Sequence, residues 1–195
     1  MTSANQNPVA LNLPQGELSP DMAAYFAKCE EKIGFVPNVL RAYAHDNAKL
    51  EAFSGFYNNL MLAPSGLSKL EREMIAVAVS AHNRCHYCII AHGAAVRMLA
   101  GDADLGDTLG VNYRAASLPP RQRAMLDFAV KMARASDEIV EADRQGLRDA
   151  GFSDTDIWDI AAVAGFFAMS NRVASATGMR PNAAYNAMGR PAGTK

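Results

Sequence analysis

Two thiols and an imidazole stand within eight residues of this chain, in the run Cys85-His86-Tyr87-Cys88-Ile89-Ile90-Ala91-His92. On a helix, residues three and four apart share a face, so Cys85, Cys88 and His92 are expected in one stack. Cα atoms one turn apart, about 5–6 Å, also suit a disulfide. One turn can therefore hold a dithiol that opens and closes beside a proton acceptor. Only the thiolate attacks, and a free thiol with a pKa of about 8.5 is mostly protonated at neutral pH. Three features act to lower that value. A helix start at Asn83–Arg84 offers unpaired N–H groups and the positive dipole end. Arg84 adds charge, and His92 is placed to take a proton.

An imidazole base needs a partner that fixes its tautomer. Glu73, twelve residues before Cys85, is the candidate, because antiparallel packing across a bend at 81–83 would return it beside His92. The competing reading makes Glu73 a solvated helix charge. Oxidation of one thiol by a peroxide gives a sulfenic acid, the other thiol condenses with it, and an external reductant reopens the disulfide. His86 and Tyr87, between the thiols, are candidates for the pocket.

The same residues admit other chemistries. Cys85, Cys88, His92 and Glu73 could imitate a four-ligand zinc site, but the chain has no second CxxC. Attachment of c-type haem needs His directly after the second Cys, where Ile89 stands. A thioredoxin fold needs strands around the CxxC, and no alternating pattern is present. Cys29, alone on an amphipathic stretch, is expected as a buried core thiol.

Helices must position this cluster, and the whole chain reads as all-α, a multihelical bundle. Apolar residues recur every three to four positions throughout. Pro8, Pro14 and Gly16 mark residues 1–18 as an irregular arm, with residues 19–195 a single helical domain. Ser19 caps a helix begun by Pro20 and stopped by Gly34. Further helices are expected over 38–62, from Ser68 to about His82 with Glu71 completing a capping box, and over 84–100. The Asp102–Asp107 stretch is a connection or short helix. Others follow at 120–135, 138–150 and 154–177, with a last turn at 181–187. Residues 67–79 and 118–130 echo each other, with Leu, Arg, Met, Ala and Val in register. This suggests a duplicated unit, a CxxC-bearing half over about 67–100 and a related half over about 118–178. Glu73 falls opposite Ala124, so only the first half would carry chemistry.

The 195 residues are half apolar, with net charge −1. That balance, without a basic stripe, argues against nucleic acid as a partner. No run reaches transmembrane length, and the polar start lacks a signal core. With three cysteines these features fit the cytoplasm and a reducing compartment. The apolar set Trp158, Phe166, Phe167 and Met169 is expected in the core or at a subunit interface, which predicts a homo-oligomer.

On Glu73, Cys85, Cys88 and His92 the chain resembles the AhpD-like alkylhydroperoxidase family of the carboxymuconolactone decarboxylase superfamily, in its peroxidase-related branch. Gly34-Phe35-Val36-Pro37-Asn38, residues 118–131, Gly151-Phe152-Ser153-Asp154 and Asn171-Arg172 extend the likeness over about residues 20–180. It departs at Tyr87, where the best-characterised branch has His. The resemblance implies an oligomeric (dimer, trimer or hexamer) thiol-dependent peroxidase for organic hydroperoxides. It implies no metal or haem cofactor, and a reducing protein or small thiol as partner. It implies Cys88 as the attacked thiol, Cys85 as proton donor and resolving partner, and His92 with Glu73 as proton relay. Two alternatives share the family: a redox adaptor for a partner protein, and a carboxymuconolactone decarboxylase-like enzyme.

Overall fold

The computed structural model describes residues 7–191; residues 1–6 of the expected arm lie outside the described residues. These hold nine α-helices, three 3-10 turns and no strand, so the protein is all-α. The helices are α1 (Pro20–Ile33), α2 (Asn38–Tyr43), α3 (Asn47–Leu62), α4 (Lys69–His82), α5 (His86–Ala100), α6 (Ala103–Asn112), α7 (Pro120–Arg134), α8 (Glu141–Asp149) and α9 (Asp154–Ala176).

Helix α4 is the axis of the molecule. Its ten residues Glu71–Ser80 are all buried, because α5, α6, α7 and α9 pack around it. It starts on the capping box Ser68/Glu71, with Glu71 Oε2 accepting from the Ser68 N–H at 2.8 Å. The long helix α9 starts the same way, on Ser153 and Asp156. Helix α1 follows its expected signals, Ser19 at the cap, Pro20 inside and Gly34 at φ 82° beyond. It lies against α3 and buries none of its residues fully.

The single helix expected over 38–62 is two. Asp46 takes an extended conformation and its carboxylate accepts the Lys49 N–H at 3.2 Å, a cap that starts α3 afresh. The 138–150 helix likewise divides into a 3-10 turn at Ser136–Glu138 and α8. The Asp102–Asp107 stretch belongs to a full ten-residue helix, α6, capped by Asp102. Gly106 lets α6 touch α5: a Cβ there would stand 2.6 Å from Arg97 Cγ and 2.9 Å from the Gly93 carbonyl oxygen.

The joint between α4 and α5 is the largest local departure from expectation. Asn83 ends α4 rather than starting α5, and Arg84 sits in the left-handed region at φ 55°. The Arg84 N–H donates to the Ala81 carbonyl at 3.1 Å and the Cys85 N–H to that of Ser80 at 2.9 Å. This is the Schellman pattern, which glycine usually serves. Here arginine serves it, so the sequence carries no visible stop. The turn reverses the chain and leaves Cys85 as the N-cap of α5.

Two apolar clusters result. The larger fills the space around α4, α7 and α9. The smaller gathers Cys85, Tyr87, Cys88 and Ala91 of α5 with Val9, Ala174, Met179 and Tyr185. The chain ends close it: the Ala10 N–H donates to Thr177 at 2.8 Å and the Arg180 N–H to Pro8 at 2.9 Å. Trp158 and Met169 are not core residues; at 76% and 43% exposure they face outward from α9, while Phe166 and Phe167 turn in. The register-matched Arg72 and Arg123 both reach back to carbonyls of the preceding helical segment, Leu60 and Ala63 for one, Tyr113 and Ala116 for the other.

Candidate active site

The antiparallel return from α4 to α5 brings Glu73 to His92. Glu73 Oε2 lies 2.6 Å from His92 Nδ1. A carboxylate only accepts, so Nδ1 carries the proton of this bond and Nε2 is the nitrogen left for other chemistry. Both side chains are nearly buried, and the edge of the His92 ring meets Phe167 with centroids 4.6 Å apart. The solvated-charge reading of Glu73 is thereby replaced by a buried carboxylate–imidazole pair.

Cys85 and Cys88 are free thiols, each about 1% exposed. The two thiols set each other's acidities, with the Cys88 S–H acting as donor toward Cys85. The Cys88 donor lowers Cys85 most. Burial opposes it, and the Cys88 N–H and the Ser175 and Asn171 side chains assist, giving a value of about 6. Cys88 is pushed far up, first by Cys85 and then by burial. Cys85 also stands at the N-cap of α5, where the positive end of the helix dipole favours a thiolate. The reduced pair is expected to show one thiolate, absorbing near 240 nm, with a midpoint near pH 6. A Cys85 acidity below its unfolded value stabilises the folded state above the unfolded pKa, and that contribution fades as pH falls through about 6. Cys88→Ala, which removes the donor, should raise the midpoint; an unchanged one would mean the Cys88 thiol is not its cause.

Acidity and access point to different sulfurs. Beside α5 lies a cavity of about 400 Å³, and Cys88, Glu73, His92 and Tyr87 line it whereas Cys85 does not. Its wall is largely apolar, with the aromatic rings of Phe53 and Tyr57 of α3, Phe166 and Phe167 of α9, and Tyr185. Tyr25, Cys29 and Ile33 of α1 also line it. Cys29 is thus a half-buried cavity thiol rather than a core one. Tyr87 lines the cavity and accepts the Val39 N–H at 3.0 Å. His86 is exposed and outside the lining: as first residue of α5 it points away from the face that carries Tyr87.

Asn171 was part of the likeness carried by Asn171-Arg172, but nothing in the sequence placed it beside the thiols. It is buried, donates to Ser80 Oγ at 2.9 Å, accepts from Asn83 at 2.9 Å, and favours the ionised form of both thiols. Ser80 of α4 does the same for Cys88. Among the described residues no group of three His, Cys, Asp or Glu side chains comes together around a common metal position, and no helix is long and apolar enough to cross a membrane.

Comparison with known proteins places this all-helical bundle in a family. The model of the carboxymuconolactone decarboxylase family matches residues 48–116. The fold superimposes on an uncharacterized peroxidase-related protein from Silicibacter sp. TM1040 with a TM-score of 0.92, at 59% identity over 97% of this chain and 100% of that one. It matches the alkylhydroperoxidase AhpD core of an uncharacterized peroxidase-related protein from Ralstonia eutropha JMP134 with a TM-score of 0.88, at 48% identity over 91% of this chain and 95% of that one. The debrominase Bmp8 shares the fold at 19% identity and a TM-score of 0.72, over 87% of this chain and 90% of that one. A search of curated proteins finds no match. The chain belongs to the carboxymuconolactone decarboxylase family, among its AhpD-like, peroxidase-related members.

Proposed function

We propose that the protein is a thiol-dependent peroxidase that reduces organic hydroperoxides through the Cys85–Cys88 pair. One observation carries the reading: a thiol pair with a shared proton, one member facing an apolar cavity, beside a buried Glu–His pair in the same cavity wall. Cys88 Sγ attacks the outer peroxide oxygen, and its proton passes to the Cys85 sulfur. The O–O bond breaks, and the leaving alkoxide takes a proton from His92. The products are an alcohol, a sulfenic acid on Cys88 and a neutral imidazole. Cys85 then gives its proton to His92 and attacks Cys88 Sγ, expelling hydroxide, which takes that proton as water. Two electrons from two thiols have reduced one peroxide, and an external thiol or dithiol reduces the disulfide again. No cofactor enters this scheme.

Burial weighs against the adaptor reading, because thiols about 1% exposed offer a folded partner little to attack. The exposed Trp158 and Val111 support the homo-oligomer as part of this proposal, and a reducing cytoplasm completes it. The test is stopped-flow oxidation of the reduced protein by cumene hydroperoxide. Rapid formation of one Cys85–Cys88 disulfide, identified by peptide mass spectrometry, is the expected result. Oxidation no faster than that of free cysteine would sink the proposal.

A further inference from the structure

Two hydroxyls in the cavity wall take no part in the scheme above. They belong to Tyr57 of α3 and Ser170 of α9. Of the other cavity phenols, Tyr25 donates to Asn58 at 3.0 Å, Tyr87 accepts from Val39, and Tyr185 faces the Tyr87 hydroxyl, which favours its ionised form. Tyr57 and Ser170 have no hydrogen-bond partner among the described residues. Yet the only polar side-chain atom there both unpartnered and sealed from any space is Arg72 Nε. Both hydroxyl oxygens therefore open into the cavity.

Ser170 is the sharper case. It is 7% exposed, and a buried hydroxyl without a partner is costly. A serine inside a helix ordinarily turns back to the carbonyl four residues earlier. Ser54 does so in this protein, bonding Leu50 at 2.7 Å, but Ser170 does not. It lies one turn from Phe167, the ring His92 packs on, and next to Asn171, whose side chain favours the ionised thiols. The Tyr57 ring stands 6.3 Å from that of His92 between centroids. Burial, and then the Glu73 charge, hold its phenol well above the usual tyrosine range, so at working pH it is a donor.

We propose that Tyr57 and Ser170 form the oxygen-binding pair of the cavity, donating to the oxygens of an apolar-bodied hydroperoxide and then to its alcohol. This rests on the reading of the cavity as the peroxide site. The apolar wall holds the body of the substrate, and the two hydroxyls fix which end faces Cys88.

The test uses two compounds that differ by one hydroxyl, 2-phenyl-2-propanol and isopropylbenzene, titrated into the reduced protein and followed by NMR. The wild type should bind the alcohol more tightly. Tyr57→Phe and Ser170→Ala should each cut that preference by about 2–10-fold, and the double variant should erase it. Affinity for isopropylbenzene should hold in all of them, which also shows that the variants are folded. A preference that survives in both variants, or is missing from the wild type, overturns the proposal. No turnover enters this measurement, so a protein that discriminates the alcohol yet resists cumene hydroperoxide would refute the peroxidase reading alone.

Discussion

Cys88→Ser is expected to lower peroxide-driven oxidation by about 10³-fold or more, because it removes the sulfur that faces the cavity. Cys85→Ser should instead slow the first step, because the thiolate that takes the Cys88 proton is gone, and strand its product. Dimedone would then label Cys88 in one equivalent, read by mass spectrometry after a single addition of cumene hydroperoxide. The pair of variants matters because proton affinity alone would choose Cys85, the sulfur lowered to about 6. If Cys88→Ser accumulates a dimedone adduct on Cys85, attack follows acidity and the assignment of roles is reversed. If hydroperoxide reduction proceeds unchanged without either thiol, the chemistry belongs to a branch of the family that needs no cysteine.

The second large effect is expected at His92. His92→Ala should slow oxidation by cumene hydroperoxide about 10²–10⁴-fold, the usual range for a lost general acid or base. The proposed role gives this loss a signature. Cumene hydroperoxide must expel a strongly basic alkoxide, which leaves poorly without a proton, whereas peracetic acid expels acetate, which needs none. His92→Ala should therefore spare most of the rate with peracetic acid. Equal losses with both oxidants would move His92 from the leaving group to the thiol. Glu73→Gln keeps a hydrogen-bonding group beside Nδ1 but removes its charge, so a smaller loss of the same kind should follow.

Much of the helical frame is written in local signals. Ser68 with Glu71, Ser153 with Asp156, and Ser19 with Pro20 each fix a helix start through contacts within one turn. The meeting of Glu73 with His92 was also readable, because a fixed number of residues separates them across one reversal. What the sequence hid depends on tertiary geometry. Arg84 occupies a left-handed position that arginine does not advertise, so the start of α5 and the N-cap role of Cys85 were out of reach. Asp46 looks like any acidic residue until its side chain turns to cap α3. Cys29, Tyr57, Ser170 and Asn171 come to the thiols from helices far away in the chain, and no spacing rule links them. For Trp158 the sequence left core and subunit interface open, and its exposure on α9 excludes the core.

The depth of the dithiol has a kinetic consequence. Both sulfurs are about 1% exposed, and Cys88 meets the outside through the same cavity that would hold the peroxide. In the proposed cycle the oxidant and the reductant must therefore use one doorway in turn. The alcohol has to depart before a reducing thiol can enter, which imposes ping-pong order without any conformational switch. Protection from stray reduction then comes from the depth of the sulfurs rather than from an especially stable sulfur–sulfur bond.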